Sequence, residues 1–69
     1  MPKNLTTFET EQVNNLIYDI EETFGGNPDC TGFVNEYSDD VVYLTFEFED
    51  GGEDHNVNLN RKTMEIIKE

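Results

Sequence analysis

The hydrophobic period of the chain changes once, at residues 25–28, and this change decides the class of fold. Before it, apolar side chains recur three or four residues apart, which is the spacing of one helical face. These side chains are Val13, Leu16, Ile17, Ile20 and Phe24. After it, apolar and polar residues alternate, as they do in a half-buried strand. The sequence therefore predicts an α+β fold, with one helix followed by strands.

Local signals predict where the helix begins and ends. Thr6 and Glu9 have the spacing of a capping box, in which each side chain accepts a hydrogen bond from the backbone amide of the other residue. Gly25 and Gly26 can take the left-handed conformation that ends a helix, and Pro28 prevents its continuation. We therefore expect an amphipathic helix over residues 7–24.

Three or four strands should follow the helix. The alternation predicts strands over residues 33–37, 41–49 and 54–60, and a fourth over 64–68 that a terminal helical turn could replace. In the first strand the facing stays open: either Phe33 and Tyr37 point to the core with Asn35, or Val34 does with Glu36. The other turns are predicted at residues 38–40, 50–53 and 60–63, the second with the paired glycines that tight hairpins favour.

One packing of these elements buries the apolar faces economically. The helix should lie across the face of an antiparallel meander that carries Val42, Leu44, Phe46 and Phe48, in the order α-β-β-β(-β). The 69 residues form one domain, because a chain of this length holds a single core. The opposite sheet face is left to solvent, with Tyr43 among carboxylates and amides.

The chain carries a large excess of negative charge. Between Asn4 and Asn60 there is no lysine or arginine, although 14 of the 16 carboxylates fall there, and the formal net charge is −12. Solubility requires a net charge of only about 2–8 in a small domain, and like charges oppose folding. We therefore predict a strongly basic partner protein, and no direct binding to nucleic acid or to anionic membranes.

Eight carboxylates and one tyrosine form the predicted partner-binding set. A solvated face or an acidic turn accounts for any one of these carboxylates. Taken together, and without interspersed cations, they favour binding to a partner protein that has a basic surface. Tyr43 is included because tyrosine combines a rigid apolar ring with a polar tip. The predicted residues are Glu36, Asp39, Asp40, Tyr43, Glu47, Glu49, Asp50, Glu53 and Asp54.

The sequence offers no pattern for catalysis, a metal or a cofactor. Cys30 and His55 are the single thiol and the single imidazole. Acidic neighbours should raise the pKa of Cys30, and His55 is expected to be partly buried on the core side of its strand. The acidic loop at residues 50–54 lacks the alternating ligand spacing of a calcium site. We therefore predict a protein that is not an enzyme.

In size, acidity and lack of motifs, the chain resembles the DNA mimics of phages and mobile elements, including anti-restriction and anti-CRISPR proteins. The resemblance implies an inhibitor that occupies the nucleic-acid-binding cleft of a nuclease-type target. Two alternatives stay open: an immunity protein or antitoxin that neutralises a basic toxin, and a small acidic module that dimerises through its sheet edge. The first residues lack the apolar run of a signal peptide, and the cysteine is single, so we expect a cytoplasmic monomer or homodimer.

Overall fold

One helix and four strands follow each other along the chain in the predicted order. The structure is a computed structural model, and it describes residues 2–67. Its elements are α1 (Thr7–Thr23), β1 (Cys30–Tyr37), β2 (Val41–Phe48), β3 (His55–Asn60) and β4 (Glu65–Ile66). The strands form one antiparallel sheet in the order β1-β2-β3-β4. The predicted α+β meander is confirmed.

The predicted caps of α1 are present. The amide of Glu9 donates to Oγ1 of Thr6 at 3.1 Å, and the amide of Thr6 donates to Oε1 of Glu9 at 2.9 Å. At the other end, Gly25 and Gly26 have φ angles of +107° and +80°, which only glycine adopts readily. The helix ends at Thr23, one residue before the predicted limit.

The strands differ from the prediction mainly at their ends. β1 begins three residues earlier, at Cys30, and its first residues pair with the end of β2. β2 ends at Phe48, and β3 begins at His55, so the acidic loop between them is longer than a tight hairpin. β4 is a strand of two residues, and the end of the predicted fourth strand, Lys68, lies outside the described residues.

A β-bulge resolves the facing of β1. Val34 pairs with Leu44 and Tyr37 pairs with Val42, so one extra residue lies between them on β1. An extra residue reverses the alternation of the side chains that follow it. Val34 and Tyr37 therefore both pack against the core, and neither strictly alternating prediction was correct.

The core lies between α1 and one face of the sheet, as predicted. Its buried members are Val13, Ile17, Cys30, Val42, Leu44, Phe46, Val57 and Leu59. The helix lies closest to β1, at Gly32, where an added Cβ would come within 2.9 Å of Ile17 Cγ2 and would clash with the ring of Phe46. The absence of a side chain at this position brings the helix close to the sheet.

His55 differs from the prediction. It shares the core side of β3 with Val57 and Leu59, but it is exposed rather than partly buried. It is the first residue of β3, at the end of the sheet, where the Phe24 ring lies 5.5 Å from the imidazole and the Phe46 ring 6.3 Å, centroid to centroid. α1 ends at Thr23, so the helix does not extend over His55.

Candidate interaction surface

The lysine and arginine side chains of residues 2–67 gather at one end of the molecule. Lys3, Arg61 and Lys62 line one shallow groove beside the start of α1, together with Asp39 and Asp40. The backbone amide of Lys3 donates to Oδ1 of Asp39 at 2.9 Å. We call Lys3, Arg61 and Lys62 the cationic end. Acidic side chains are interspersed among them, so this end carries little net charge.

Arg61 is buried and joins three separate parts of the chain. Only 6% of its side chain is exposed. Its Nε donates to Oε2 of Glu9 at 3.0 Å, and its terminal nitrogens donate to the carbonyl oxygens of Ser38 at 2.8 Å and Asn4 at 2.9 Å. The guanidinium also lies over the Tyr37 ring, 5.4 Å from its centroid. Sequence reasoning assigned Arg61 only to a turn and missed this network.

The hydrogen bond from Arg61 lowers the pKa of Glu9 from 4.5 to about 2, and the amide of Thr6 contributes in the same direction. Glu9 is therefore charged at neutral pH and serves both the helix cap and the ion pair. This arrangement uses the one buried cation of the described chain for folding rather than for binding.

The opposite end of the molecule is strongly negative. The end of α1, the start of β1, the end of β2 and the β2–β3 loop meet there, with the amide of Glu49 donating to the carbonyl of Asp29 at 3.0 Å. The last turn of α1 has no basic residue, so the negative end of its dipole is uncompensated. We call the carboxylates of this end the acidic pole: Glu22, Asp29, Glu47, Glu49, Asp50, Glu53 and Asp54.

The predicted binding residues divide into three groups. Five of the nine lie in the acidic pole: Glu47, Glu49, Asp50, Glu53 and Asp54. Glu36 and Tyr43 are a directly opposed pair on the sheet face that α1 does not cover. Asp39 and Asp40 lie in the turn after β1, beside the cationic end. The eight residues of β2, about 27 Å in length, separate this turn from the acidic pole.

Glu22 and Asp29 belong to the acidic pole but were not in the predicted set. Nothing in their own neighbourhoods distinguishes them from other surface carboxylates. The pairing of Cys30 with Phe48 brings them there, because it places the end of α1 beside the end of β2. A prediction of the β1–β2 register from sequence would have found them.

Glu21 occupies the free edge of β1. Its side chain is 9% exposed, and Oε2 accepts a hydrogen bond from the amide of Gly32 at 2.7 Å. The amide of Cys30 donates to the carbonyl of Gly26 at 3.0 Å. These hydrogen bonds occupy backbone amides of an edge strand, which could otherwise pair with the strand of another chain. The bulge interrupts the same edge further along β1. The amides of Gly32 and Cys30 are therefore already bonded within the chain.

Cys30 is fully buried in the core. Burial raises the pKa of its thiol, and the nearby Glu21 carboxylate contributes in the same direction. The expected direction of this shift is confirmed, but its main cause is burial rather than the acidic neighbours. Because the thiolate is the nucleophilic form of cysteine, the thiol is inert in the folded protein.

We expect the melting temperature to rise by several degrees between about 0.01 M and about 1 M NaCl. Over this range the Debye length falls from about 30 Å to about 3 Å, which removes most repulsion between exposed carboxylates of the acidic pole. Thermal unfolding followed by circular dichroism at fixed pH measures this change. A melting temperature independent of NaCl concentration would contradict it.

None of the helices within residues 2–67 has the length and apolar character needed to cross a bilayer. Comparisons of the chain with protein-family models, with curated proteins and with solved structures find no match.

Proposed function

We propose that this protein is a small acidic inhibitor that imitates nucleic acid. Its acidic pole would dock on the basic nucleic-acid-binding cleft of a nuclease or a similar effector and block that cleft. The observation that carries the proposal is the separation of charge along the molecule. Seven carboxylates and the end of α1 share one pole, and the cations of residues 2–67 lie at the other end.

The backbone fixes the positions of several of these carboxylates. Glu47 is the last but one residue of β2, and Glu49 lies in the turn that follows, where its amide donates to the carbonyl of Asp29 at 3.0 Å. Asp50 accepts a hydrogen bond from the amide of Gly52 at 2.9 Å, which fixes the start of the loop. A phosphate-binding cleft carries lysine and arginine side chains that bind closely spaced negative charges. A preorganised set of carboxylates can pair with the same cations.

The same charge distribution favours rapid association. A single-sign field steers an oppositely charged partner into contact, and association rates then fall steeply with ionic strength. Because the cationic end lies away from the acidic pole, the field also orients the inhibitor as it approaches. We place this activity in the cytoplasm, since a single free cysteine fits a reducing compartment.

The test is capture of the partner followed by competitive elution. Tagged protein is incubated with cell lysate at low salt, and the bound proteins are eluted separately with salt, with DNA and with RNA, then identified by mass spectrometry. We expect a basic nucleic-acid-binding protein that nucleic acid displaces. A partner that only salt displaces would favour the immunity-type alternative, and absence of any partner would overturn the proposal.

Removing two charges from the acidic pole should slow association without affecting the fold. We expect the double variant Glu47→Gln/Glu49→Gln to associate with the captured partner several-fold more slowly at low salt, and to lose much of this difference at high salt. Surface plasmon resonance over a series of salt concentrations measures both effects.

The matched control is Asp39→Asn/Asp40→Asn, which removes the same charge from the opposite end of β2. Its association rate should stay close to that of the unmodified protein. Equal slowing in both double variants would mean that net charge, rather than the acidic pole, governs association.

A further inference from the structure

The sheet has a second face that α1 does not cover, and we call it the outer face. On it the side chain of Phe33 is 40% exposed, and Tyr43 is half-buried. Phe33 pairs directly with Thr45, and Tyr43 pairs with Glu36, so the two rings are diagonal neighbours on adjacent strands. Diagonal positions lie about 7–8 Å apart, within reach of aromatic side chains. The two rings therefore lie on the same face at neighbouring positions of adjacent strands, and we call them the aromatic pair.

The sheet surface next to the aromatic pair is packed, and its buried polar side chain is hydrogen-bonded. Thr45 is buried on the outer face, and its Oγ1 donates to Oδ1 of Asn56 on the next strand at 3.0 Å. Within the described residues, no buried side-chain oxygen or nitrogen lacks a hydrogen-bond partner. The aromatic pair therefore stands on a rigid base, which reduces the entropy cost of binding.

Every charged side chain on the outer face of β1, β2 and β3 is a carboxylate. These strands lie between Cys30 and Asn60, a range without lysine or arginine. Glu36 is directly opposite Tyr43, and Glu47 is two residues beyond Thr45 towards the acidic pole. The outer face thus presents aromatic rings flanked by negative charge. A partner surface that complements it would carry planar side chains flanked by positive charge.

Planar side chains flanked by positive charge are found in grooves that bind single-stranded nucleic acid. Such grooves stack bases on aromatic side chains and track the backbone with lysine and arginine. A cleft that contacts only the phosphates of a duplex has no use for exposed rings. We propose that the outer face binds the stacking residues of a single-strand-binding groove, with Phe33 and Tyr43 in the place of bases and Glu36 and Glu47 in the place of phosphates.

This inference rests on the proposed function and narrows its class of target. The outer face of β1 to β3 measures about 27 Å by about 10 Å, less than the roughly 800 Å² that each partner buries in a standard interface. It therefore acts together with the acidic pole, which it joins at Glu47. The pole supplies attraction, and the aromatic pair selects partners that bind single strands.

Two synthetic peptides separate these contributions. One alternates lysine with tryptophan, and the other has the same lysines with glycine in place of tryptophan. We expect the tryptophan peptide to bind about 2- to 12-fold more tightly, as stacking of aromatic pairs implies. We also expect its amide shift changes, followed by nuclear magnetic resonance, to centre on Phe33 and Tyr43.

The variant Phe33→Thr should show a smaller preference for the tryptophan peptide, because threonine keeps the strand but removes one of the two rings. The control is Phe8→Thr, which removes an aromatic ring that is 67% exposed on α1, and it should keep the preference for tryptophan. A thermal melt confirms that each variant is folded.

Several outcomes would overturn the inference. An unchanged preference for the tryptophan peptide in Phe33→Thr would place the contact elsewhere and leave the inhibitor proposal intact. Dimerisation of the unmodified protein that Phe33→Thr abolishes would make the face a contact between two copies. If neither peptide binds even at low salt, the acidic pole itself does not attract basic chains, and the proposed function fails as well.

Discussion

Phe46→Ala should leave much of the protein unfolded at 37 °C. Phe46 is the largest fully buried side chain, with 0% exposure, and it lies under Gly32 against α1. Truncation of a buried phenylalanine costs about 3–5 kcal/mol of the free energy of unfolding. A domain of 69 residues has roughly 3–10 kcal/mol in total. The loss is therefore comparable to the whole stability.

Urea unfolding followed by circular dichroism measures this effect. The midpoint should move strongly to lower urea, with little or no folded baseline. Phe8→Ala is the control, since its ring is mostly exposed, and it should change the free energy of unfolding by no more than about 0.5 kcal/mol. A Phe46→Ala variant as stable as this control would show that helix and sheet are not packed as described.

Arg61→Met should cause the largest loss of melting temperature among the charge variants of this chain. The substitution leaves the Glu9 carboxylate, which is 19% exposed, without its buried partner and removes the donors to Ser38 and Asn4. Loss of the buried member is costly because the other member remains partly desolvated. Lys62→Met removes the same charge from the neighbouring exposed residue, and its melting temperature should change several-fold less.

The same pair determines the response to acid. Glu9 has a pKa of about 2 in the fold against a usual 4.5, so its ionised form stabilises the folded state. This contribution is complete above pH 4.5 and is lost as pH falls from 4.5 towards 2. Mild acidification from neutral pH towards the pI of 4.1 should instead stabilise the protein, because it neutralises exposed carboxylates.

The melting temperature should therefore pass through a maximum at mildly acidic pH and fall below it. In Arg61→Met the fall at low pH should be much smaller, because the pKa of Glu9 then returns towards its usual value. Melting curves from pH 7 to pH 2 for both proteins measure this difference. An identical decline in the two would mean that other carboxylates govern acid unfolding.

Much of the fold could be predicted because its signals are local. The capping box of Thr6 and Glu9 involves residues three positions apart, and the alternation from Val42 to Phe48 lies within one strand. The start of β1 was missed since Gly32 has low strand propensity, and its place is fixed by contact with α1. The bulge in β1 could not be predicted, because it depends on the register with β2.

The candidate surface was predicted less completely than the fold. Composition predicted an acidic binding surface, and five of its residues do lie together. The sequence could not show that Asp39 and Asp40 lie at the other end of the molecule, or that Glu22 and Asp29 join the acidic pole. Phe33 was considered only for its facing, since the uncovered face of the sheet depends on how α1 packs. Arg61 was missed because its partner Glu9 is 52 residues away.

The buried thiol of Cys30 gives the protein a built-in reporter of its own opening. It is the single cysteine, it is fully buried at the start of β1, and its reaction with an alkylating reagent requires exposure. The rate of alkylation therefore measures how often β1 and α1 separate under native conditions. If a bound target holds these elements together, the same rate will fall on binding, so occupancy could be followed without introducing another reporter group.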